Sequence, residues 1–512
     1  MKKIKISWLN FVLFSALFIT FMNFKLFSYI YFNLIEEKAM EYFILFPIIY
    51  FSLLVAIFSL LFFNYTNKIL LSLFVVITFL SVYFMQTYGV IIDSDMIANA
   101  MQTDFKESSE LLGSWKFLGL FLVGVVLPLI FIFKLEIAKT KIWIRGATCG
   151  ISLLVALMVL VIFSSKLVPF FRNYNDTRMY NAPFYQIYSA VKYLKREIEP
   201  QGELRQIALD AKKQATKDKS ILVLVVGETA RANNYSLGGY EVDTNPYTKE
   251  ENVIFFDNVY SCGTATAISL PCMFSLSKRV EFSNKEYQEN ILDVLARVGV
   301  NVSWYGNNSG GCKGICDRLA TKEILREDFD GILLDKLKNE LNNLQDENLI
   351  VLHLQGSHGP TYYKRYPKEF EKFSPTCQTN DLAKCSIEEI KNTYDNTLFY
   401  TDYLLKEMIA LLKQKGKDYK SALLYVSDHG ESLGENGVYL HGMPYFIAPK
   451  TQKHIPMIFW SNNEDLNKEA LNDQKTDLSH DNLYSILLGF FKVESETYEA
   501  RFDILNAGGG AN

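Results

Sequence analysis

The stretch ILVLVVGET at residues 221–229 joins an uninterrupted apolar run to a glycine and to Glu228. The stretch ALLYVSDHGE at residues 422–431 has the same organisation and contains Asp428 and His429 after its apolar run. Apolar runs of this kind are typical of strands buried on both faces of a parallel sheet. Because open α/β sheets bind their ligands beyond the carboxyl ends of the strands, we expect Glu228, Asp428 and His429 to lie close together.

A third segment, CGTATA at residues 262–267, places Thr266 among small residues, and PCMFS follows at residues 271–275. Small residues before the start of a helix allow backbone N–H groups to face a phosphate. Carboxylate oxygens and imidazole nitrogens are ligands of zinc, and a catalytic zinc site leaves room for a reacting group. Coordination to zinc lowers the pKa of a hydroxyl and activates it as a nucleophile. The three segments together predict one metal site with Thr266 beside it.

Strand-like apolar runs alternate with helical patterns from Ile221 onward. Alternation of this kind predicts a C-terminal α/β domain with a largely parallel central sheet covered by helices. Further strands are predicted at residues 253–256, 300–304, 349–354, 423–426 and 456–460, and helices at residues 286–298, 387–413 and 479–490.

The first third of the chain has a different character. The chain is 512 residues long with 49% hydrophobic residues, and the apolar residues are concentrated in this part. A helix needs about 20 apolar residues to cross a bilayer. A buried helix of a soluble domain explains any one such stretch, but a series of five favours an all-α transmembrane domain. The predicted spans are residues 6–27, 42–63, 69–90, 117–133 and 143–163.

The loop charges give these spans an orientation, because cytoplasmic loops are enriched in lysine and arginine. An inside amino terminus and five crossings place everything after about residue 165 outside the cytoplasm. No convincing small-residue cleavage site follows the first span, which we interpret as a retained anchor rather than a signal peptide. The basic residues that mark the inner side are Lys2, Lys3, Lys5, Lys68, Lys134, Lys139, Lys141 and Arg145.

The sequence therefore divides into four parts. Residues 1–165 are the five-span transmembrane domain, and residues 166–219 are a linker whose mixed aromatic and basic side chains suit helices at the lipid headgroup level. A packing surface between the domains is the alternative for this linker, and its polar, lysine-rich residues 206–219 predict a solvated helix. Residues 220–505 are the catalytic domain, and residues 506–512 are a flexible tail. The formal net charge of −4 lacks the basic bias that nucleic-acid binding requires.

Six of the seven cysteines lie beyond residue 260, and Cys149 lies alone in the fifth predicted span. Six cysteines allow many pairings, of which three short-range pairs are the simplest arrangement in an oxidising compartment. The alternative is a zinc site built on Cys312 and Cys316, although the sequence lacks a matching second pair of cysteine or histidine ligands.

Several of these motifs, taken in order, resemble the lipid A phosphoethanolamine transferases, a family that includes the mobile colistin-resistance enzymes. That family belongs to the alkaline phosphatase and sulfatase superfamily and has five membrane helices before a periplasmic domain, so the resemblance covers the whole chain. Beyond CGTAT and PCMFS, the motifs that carry it are GETARA at 227–232, NYSLGGY at 234–240, GSHGP at 356–360, YKRYP at 363–367 and SDHGES at 427–432.

The resemblance implies roles for individual residues. Thr266 matches the nucleophile of the family, and its zinc ligands match Glu228, Thr266, Asp428 and His429. Two histidines and four other residues match positions near the substrate, namely His358, His441, Thr264, Asn308, Ser309 and Lys313. Two disulfides of the family match Cys262–Cys272 and Cys377–Cys385, and Cys312–Cys316, which is more closely spaced than the corresponding pair elsewhere, is the third expected bridge.

The function implied by the resemblance is phosphoethanolamine transfer in a Gram-negative inner membrane, with the catalytic domain in the periplasm. Phosphatidylethanolamine is the expected donor, lipid A the expected acceptor, Zn²⁺ the expected cofactor, and the protein is expected to be monomeric. Attack by Thr266 on the donor gives a phosphothreonine ester, from which the acceptor takes the phosphoethanolamine, and the modified surface resists polymyxin-type peptides.

Three other functions are compatible with parts of this pattern. A phosphoglycerol transferase of the lipoteichoic acid type shares five spans and a threonine nucleophile, but it usually lacks the paired cysteines and the Thr-Ala-Thr-Ala run at residues 264–267. A sulfatase is disfavoured because no Cys-x-Pro-x-Arg signal for formylglycine is present. A non-catalytic envelope scaffold is disfavoured by the intact set of candidate ligands.

Overall fold

The computed structural model describes two compact units of the chain. One unit contains residues 1–94 and 112–194, and the other contains residues 95–111 and 195–512. The boundary at residue 194 falls inside the predicted linker, whereas the predicted tail at 506–512 lies outside the described residues. The described ranges are 3–36, 38, 40, 43–102, 105–198, 202–283, 287–308, 310–463, 471 and 477–505.

The first unit is helical. Each of the five predicted spans coincides with one of its apolar helices, but how many of them cross a membrane stays a prediction. The helices are Trp8–Met22, Phe24–Glu36, Leu45–Leu61, Asn67–Thr87, Trp115–Lys134, Ile142–Ile162, Ser164–Asn173, Asn175–Tyr180 and Phe184–Ile198, the last of which ends in the second unit.

Among the described helices, three have the length and the apolar composition needed to cross a bilayer, namely Asn67–Thr87, Trp115–Lys134 and Ile142–Ile162. The pair Trp8–Met22 and Phe24–Glu36 forms a fourth candidate with a 58° bend. The helix Leu45–Leu61 is apolar but has only 17 residues.

The bend in that pair is stabilised by polar contacts. The buried Asn23 lies between the two helices, where its side-chain amide donates to the carbonyl of Ala182 at 2.8 Å and accepts from the N–H of Ala182 at 3.1 Å. The hydroxyl of Tyr50 also donates to the Ala182 carbonyl, at 3.0 Å. Because backbone groups in an apolar environment are costly when unpaired, these bonds satisfy both backbone groups of Ala182 and hold that residue against the bend.

The second unit contains an eight-stranded sheet within its described residues. In chain order the strands are β1 (Ser220–Gly227), β2 (Ile254–Tyr260), β3 (Asn301–Gly306), β4 (Thr321–Ile324), β5 (Glu347–His353), β6 (Lys420–Ser427), β7 (His454–Ser461) and β8 (Leu478–Ser479). In space they follow the order β8-β2-β7-β6-β1-β5-β3-β4, in which β6, β1, β5, β3 and β4 are mutually parallel and β7 is antiparallel to both of its neighbours. The largely parallel sheet predicted from the sequence is therefore confirmed.

Helices cover this sheet. The longest described helix, Ile387–Lys415, begins at the predicted residue 387 and ends two residues beyond the predicted residue 413. Ser386 and Glu389 form a capping box at its start. The prediction at 286–298 was too long, because Asn290 caps a helix that begins at Ile291. The other α-helices in the described part of this unit are Ser94–Gln102, Phe105–Leu112, Pro246–Lys249, Thr266–Met273, Ile291–Arg297, Ile332–Glu340 and Leu483–Phe490.

The predicted helix at residues 206–219 is wrong. Its middle residues, Lys212–Lys213, form a short strand antiparallel to Val493–Glu494. Upstream, Arg297 donates to the backbone carbonyls of Ile207 and Ala208, whose side chains are buried in the core. Tertiary contacts of the backbone thus override the local preference of a lysine-rich sequence for helix.

Three disulfide bonds are present in the described part of the chain, and all belong to the second unit. They join Cys262 to Cys272, Cys312 to Cys316, and Cys377 to Cys385. The seventh cysteine, Cys149, is a buried free thiol in the helix Ile142–Ile162.

Candidate active site

The candidate ligands lie at the carboxyl ends of two neighbouring strands. Gly227 of β1 and Ser427 of β6 face each other in the parallel register, so the residues that follow them, Glu228 and Asp428, leave the sheet side by side. Ligand atoms of Glu228, Asp428 and His429 all lie within 4.8 Å of one another, and none of the three residues is exposed.

Thr266 lies beside these three residues because it is the first residue of the helix Thr266–Met273. Its hydroxyl oxygen is 3.2 and 3.1 Å from the two carboxylate oxygens of Glu228 and 3.3 Å from Nε2 of His429. The hydroxyl of Ser269, one turn further along this helix, donates to the backbone carbonyl of Asp428. The helix that carries Thr266 is therefore fastened to the loop that carries the candidate ligands.

Neighbouring side chains fix both carboxylates. Thr229 adopts a left-handed backbone conformation, with φ of 60°, that brings its N–H to Asp428 Oδ1 at 3.1 Å and its hydroxyl to Glu228 Oε1 at 2.7 Å. Asn308 donates to the other oxygen of Glu228 at 2.7 Å. A non-glycine residue in this conformation is strained by roughly 1–3 kcal/mol, which the two hydrogen bonds offset.

These residues fit a divalent cation such as zinc. Burial raises the pKa of Asp428 to about 7, and the negative charge of Glu228 adds to the increase. Asp428 Oδ2 has no hydrogen-bond partner among the described residues. Buried carboxylates are costly unless they are paired or coordinate a metal, so an unpartnered oxygen directed toward a second carboxylate and an imidazole indicates a cation site.

The orientation of His429 supports the same conclusion. Its Nδ1 donates to the carbonyl of Gly430 at 2.9 Å, which leaves Nε2 3.4 Å from an oxygen of Glu228 and 3.4 Å from an oxygen of Asp428. Burial alone lowers the pKa of this imidazole, but the two carboxylates outweigh burial and raise the pKa to about 10. A bound cation can supply the positive charge that these carboxylates attract and leave the imidazole neutral as a ligand.

Two further histidines face this group. The ring of His441 is 4.3 Å from that of His429 and 5.5 Å from that of His358, measured between ring centres. His441 Nδ1 donates to a carboxylate oxygen of Glu431 at 2.8 Å, and the hydroxyl of Tyr362 donates to the other oxygen at 2.5 Å. The bond to Glu431 fixes the ring and leaves Nε2 as the atom that can exchange a proton.

The remaining predicted residues occupy different positions. The hydroxyl of Thr264 donates to the carbonyl of Met443 at 2.6 Å, and Gly442 donates to the carbonyl of Thr264 at 2.7 Å, so this residue joins the loops of Thr266 and His441. Lys313 has a left-handed backbone with φ of 49° and its amine lies against Gly310. Ser309 lies outside the described residues.

Sequence reasoning missed the residues that orient the site rather than line it. Thr229 lies within the GETARA motif, but a threonine carries no signal for its hydrogen-bond partners, and its only signal was proximity in sequence to Glu228. Glu431 follows the Asp-His pair, a position that predicts an outer-sphere role, and its contact with His441 agrees with that role. His480 was not among the predicted site residues; it lies buried with Nδ1 accepting from the N–H of Cys262 at 3.0 Å.

Comparison with known proteins gives the same assignment. The chain matches the family model described as phosphoethanolamine transferase EptA/EptB over residues 50–198 and the sulfatase model over residues 220–493. Phosphoethanolamine transferase EptA of Escherichia coli K12 is 40% identical over 491 residues, which cover 90% of this chain and 89% of that protein.

One solved structure is similar over almost the whole chain, and another is similar over its C-terminal part. The integral membrane lipooligosaccharide phosphoethanolamine transferase A of Neisseria meningitidis matches with a TM-score of 0.93 at 31% identity and covers 98% of this chain and 99% of that chain. The C-terminal periplasmic domain of phosphoethanolamine transferase EptC from Campylobacter jejuni is 62% identical with a TM-score of 0.58, and it covers 60% of this chain and 99% of that chain.

A sulfatase-like domain that follows an apolar helical unit in one chain defines an integral membrane protein of the alkaline phosphatase and sulfatase superfamily. Within that class, the chain belongs to the phosphoethanolamine transferase family. The resemblance seen in the motifs and the predicted fold class are thus confirmed.

Proposed function

We propose that this protein transfers phosphoethanolamine from phosphatidylethanolamine to lipid A through a phosphothreonine at Thr266, with zinc as its cofactor. The observation that carries the proposal is the position of the Thr266 hydroxyl, within 3.3 Å of both Glu228 and His429 at the start of a helix. The related proteins support the substrate class, since the Neisseria meningitidis protein is a lipooligosaccharide phosphoethanolamine transferase.

The metal would be held by Glu228, Asp428 and His429, with the hydroxyl of Thr266 as a further ligand. Zinc supplies Lewis-acid chemistry at such a site, because it lowers the pKa of a coordinated hydroxyl and offsets charge on a phosphoryl group. The protein contributes the positions of the ligands, which two strand ends and one helix start fix before substrate arrives.

The first half-reaction forms one bond and breaks another. The oxygen of Thr266 attacks the phosphorus of the donor and gives up its hydroxyl proton to a histidine of the site such as His441, the phosphorus–oxygen bond to diacylglycerol breaks, and phosphoethanolamine remains on Thr266. The leaving alkoxide needs a proton, and His441 can deliver one from Nε2 because Glu431 engages its Nδ1. His358, whose ring lies 5.5 Å from that of His441, can bind a phosphate oxygen or share the proton transfer.

The second half-reaction reverses these roles. A phosphate or hydroxyl oxygen of lipid A attacks the phosphothreonine, the bond to the oxygen of Thr266 breaks, and the free threonine is restored. The same histidines can accept the proton that the acceptor loses. Because donor and acceptor both have lipid anchors, apolar helices in the same chain keep the enzyme in the bilayer where both substrates diffuse.

The remaining parts of the proposal concern location and assembly. The enzyme works as a monomer in the inner membrane with its catalytic domain in the periplasm. An oxidising compartment agrees with the disulfides of the second unit. Residues Thr264, Asn308, Ser309 and Lys313 line the substrate site in this proposal, and Asn308 already contacts the ligand Glu228.

The deciding experiment is a single turnover of the purified full-length protein with a fluorescent phosphatidylethanolamine and no acceptor. We expect one equivalent of fluorescent diacylglycerol and a phosphoethanolamine adduct on the peptide that contains Thr266. Thr266→Val, which keeps the shape of the side chain, should give neither product, and Thr266→Ser should retain both because it keeps the hydroxyl. An adduct on another residue, or turnover by Thr266→Val, would exclude the mechanism. Donors with a glycerol head group should give no adduct.

A further inference from the structure

A segment encoded between two apolar helices belongs to the catalytic unit. Residues 95–111 follow the helix Asn67–Thr87 and precede the helix Trp115–Lys134, yet they cluster with residues 195–512. The carboxylate of Glu110, near the end of this segment, is 5% exposed. A buried carboxylate needs a compensating partner, so its contacts reveal why the segment lies there.

The hydrogen bonds and ion pairs that Glu110 makes with side chains, within the described residues, are with the region that follows the GSHGP motif. One carboxylate oxygen accepts from Nη2 of Arg365 at 2.8 Å and from the hydroxyl of Thr361, and the other accepts from Nζ of Lys364 at 3.1 Å. The backbone carbonyl of Glu110 accepts from the side-chain amide of Asn380. Burial raises the pKa of the Glu110 carboxyl, but Arg365, Thr361 and Lys364 together outweigh burial and lower the pKa.

Arg365 extends this contact to a residue of the site. Its Nε donates to the backbone carbonyl of His358 at 2.8 Å, while its Nη2 is bound to Glu110. The guanidinium is a rigid planar fork, so holding one nitrogen with Glu110 fixes where the other can hold the carbonyl of His358. Arg365 is itself only 6% exposed, and few other positions are open to it.

The same segment also lies against the loop of the second histidine. The methyl carbon of Met96 lies 3.1 Å from the point where a Cβ on Gly442 would stand, and Gly442 directly follows His441. Gly442 has φ of 87°, a conformation that favours glycine. The segment therefore contacts the neighbourhoods of both His358 and His441.

We infer that Glu110 is a positioning residue for the active site, which acts through Arg365 on the loop that carries His358. The inference rests on the role proposed above for His358. In this arrangement the position of the His358 loop depends on Glu110, a residue that lies in the sequence between two apolar helices. Loss of the Glu110 carboxylate would remove the negative charge beside the buried guanidinium and leave it only neutral acceptors, the hydroxyl of Thr361 and the carbonyl of His358, so the His358 loop would lose its fixed position.

The cluster offers a matched control. Lys364 binds the same carboxylate as Arg365, but its side chain is 46% exposed. Lys364→Ala removes one charge contact of Glu110 and leaves the connection through Arg365 to His358 in place. Glu110→Gln and Arg365→Lys each weaken that connection, the first by removing the charge while an amide oxygen remains as a weaker acceptor, and the second because a single amine replaces the fork.

The experiment compares these three variants and His358→Ala as full-length proteins. Steady-state transfer from fluorescent phosphatidylethanolamine gives kcat and KM, and thermal unfolding reports folding. Reaction of His358 with diethyl pyrocarbonate, mapped by mass spectrometry, reports how well its loop is held. We expect Glu110→Gln and Arg365→Lys to lose roughly tenfold to a hundredfold in kcat with a small change in KM. In both variants diethyl pyrocarbonate should modify His358 several-fold faster than in wild type. Lys364→Ala should stay within about twofold of wild type in both measurements.

Two results would overturn the inference in distinguishable ways. If His358→Ala keeps full activity, the role proposed for His358 is wrong and the inference falls with it. If His358→Ala loses activity but Glu110→Gln keeps kcat, or loses it only in proportion to its folded fraction without faster modification of His358, then the proposed function stands and Glu110 is merely structural.

Discussion

His480 Nε2 donates a hydrogen bond to the backbone carbonyl of Ser427 at 2.8 Å. Because its Nδ1 accepts from the N–H of Cys262, both ring nitrogens have backbone partners that require a neutral imidazole. A protonated ring would direct an N–H toward another N–H. His480 thus connects the loop of Thr266 with the end of the strand that precedes Asp428 and His429.

The first prediction follows from this contact. Burial lowers the pKa of His480 to about 4, whereas an unfolded histidine titrates near 6.5. As pH falls from about 6.5 to about 4, the unfolded chain binds a proton that the folded protein does not, so this residue lowers the free energy of unfolding by up to ~1.4 kcal/mol per pH unit. Above pH 6.5 the contribution is absent.

His480→Gln should remove this part of the pH dependence. The measurement is the difference in thermal midpoint between pH 7.5 and pH 5.5 with zinc in excess, which should be smaller in the variant than in wild type. The other groups titrate equally in both proteins, so the comparison isolates His480. Equal differences in the two proteins would show that His480 is not buried in its neutral form.

The second prediction concerns the metal. The full-length protein should retain about one zinc per chain after dialysis, and Asp428→Asn should retain much less, because a carboxylate ligand is lost. Asp395→Asn is the control, since Asp395 is equally buried but binds Asn234 and Tyr240 instead. Elemental analysis measures both. Chelation should lower the thermal midpoint of wild type and zinc should restore it, whereas the same zinc content in all three proteins would argue against the site.

The third prediction concerns the cysteines. Peptide mapping without reductant should find Cys262 linked to Cys272, Cys312 to Cys316 and Cys377 to Cys385. Replacing Cys377 and Cys385 together by serine should destabilise the domain by about 2–3 kcal/mol through loop entropy. Free thiols at Cys312 and Cys316 with a second equivalent of zinc would instead support a metal site there, since Asp317 lies close to both sulfurs.

The fourth prediction is a phenotype. Phosphoethanolamine brings a primary amine, positive at pH 7, to an anionic phosphate and so removes most of its net negative charge. Cationic peptides reach anionic lipid partly by electrostatic attraction. Cells without this protein should be more sensitive to polymyxin, Thr266→Ala should not restore resistance, and high salt should shrink the difference because it screens the attraction.

Mass spectrometry of lipid A from the same cells is the accompanying measurement. A loss of the phosphoethanolamine form together with the change in sensitivity would agree with the proposed acceptor. If deletion changes neither quantity, lipid A is not the main acceptor, and the transferase acts on another envelope molecule.

The sequence predicted the elements of this fold whose identity depends on local pattern. The apolar runs before Glu228 and Asp428 are strands β1 and β6, since continuous burial leaves few alternatives for them. The helix Ile387–Lys415 was predicted at residues 387–413, within two residues of its observed end, because its helical pattern is local to the segment. Periodicity is a property of neighbouring residues, so the sequence displays it without any knowledge of tertiary contacts.

Contacts between distant residues could not be predicted in this way. Glu110 and Arg365 are separated by 255 positions, and His480 lies 218 positions from Cys262. No local pattern specifies which side chains meet over such separations. The wrong helix at residues 206–219 has the same origin, because its backbone is paired with Val493–Glu494 far along the chain.

The register of β1 against β6 has a consequence for how such enzymes change. Gly227 and Ser427 are opposite each other, and Asp428 donates its N–H to the carbonyl of Gly227 at 2.9 Å. The spacing of Glu228 and Asp428 is therefore set by the distance between adjacent strands, about 4.8 Å, and not by any loop. Insertions and deletions in surface loops can alter which molecule is recognised without moving these two carboxylates apart. The acceptor that is recognised can therefore change during evolution, while the spacing of the two carboxylates stays the same because the sheet sets it.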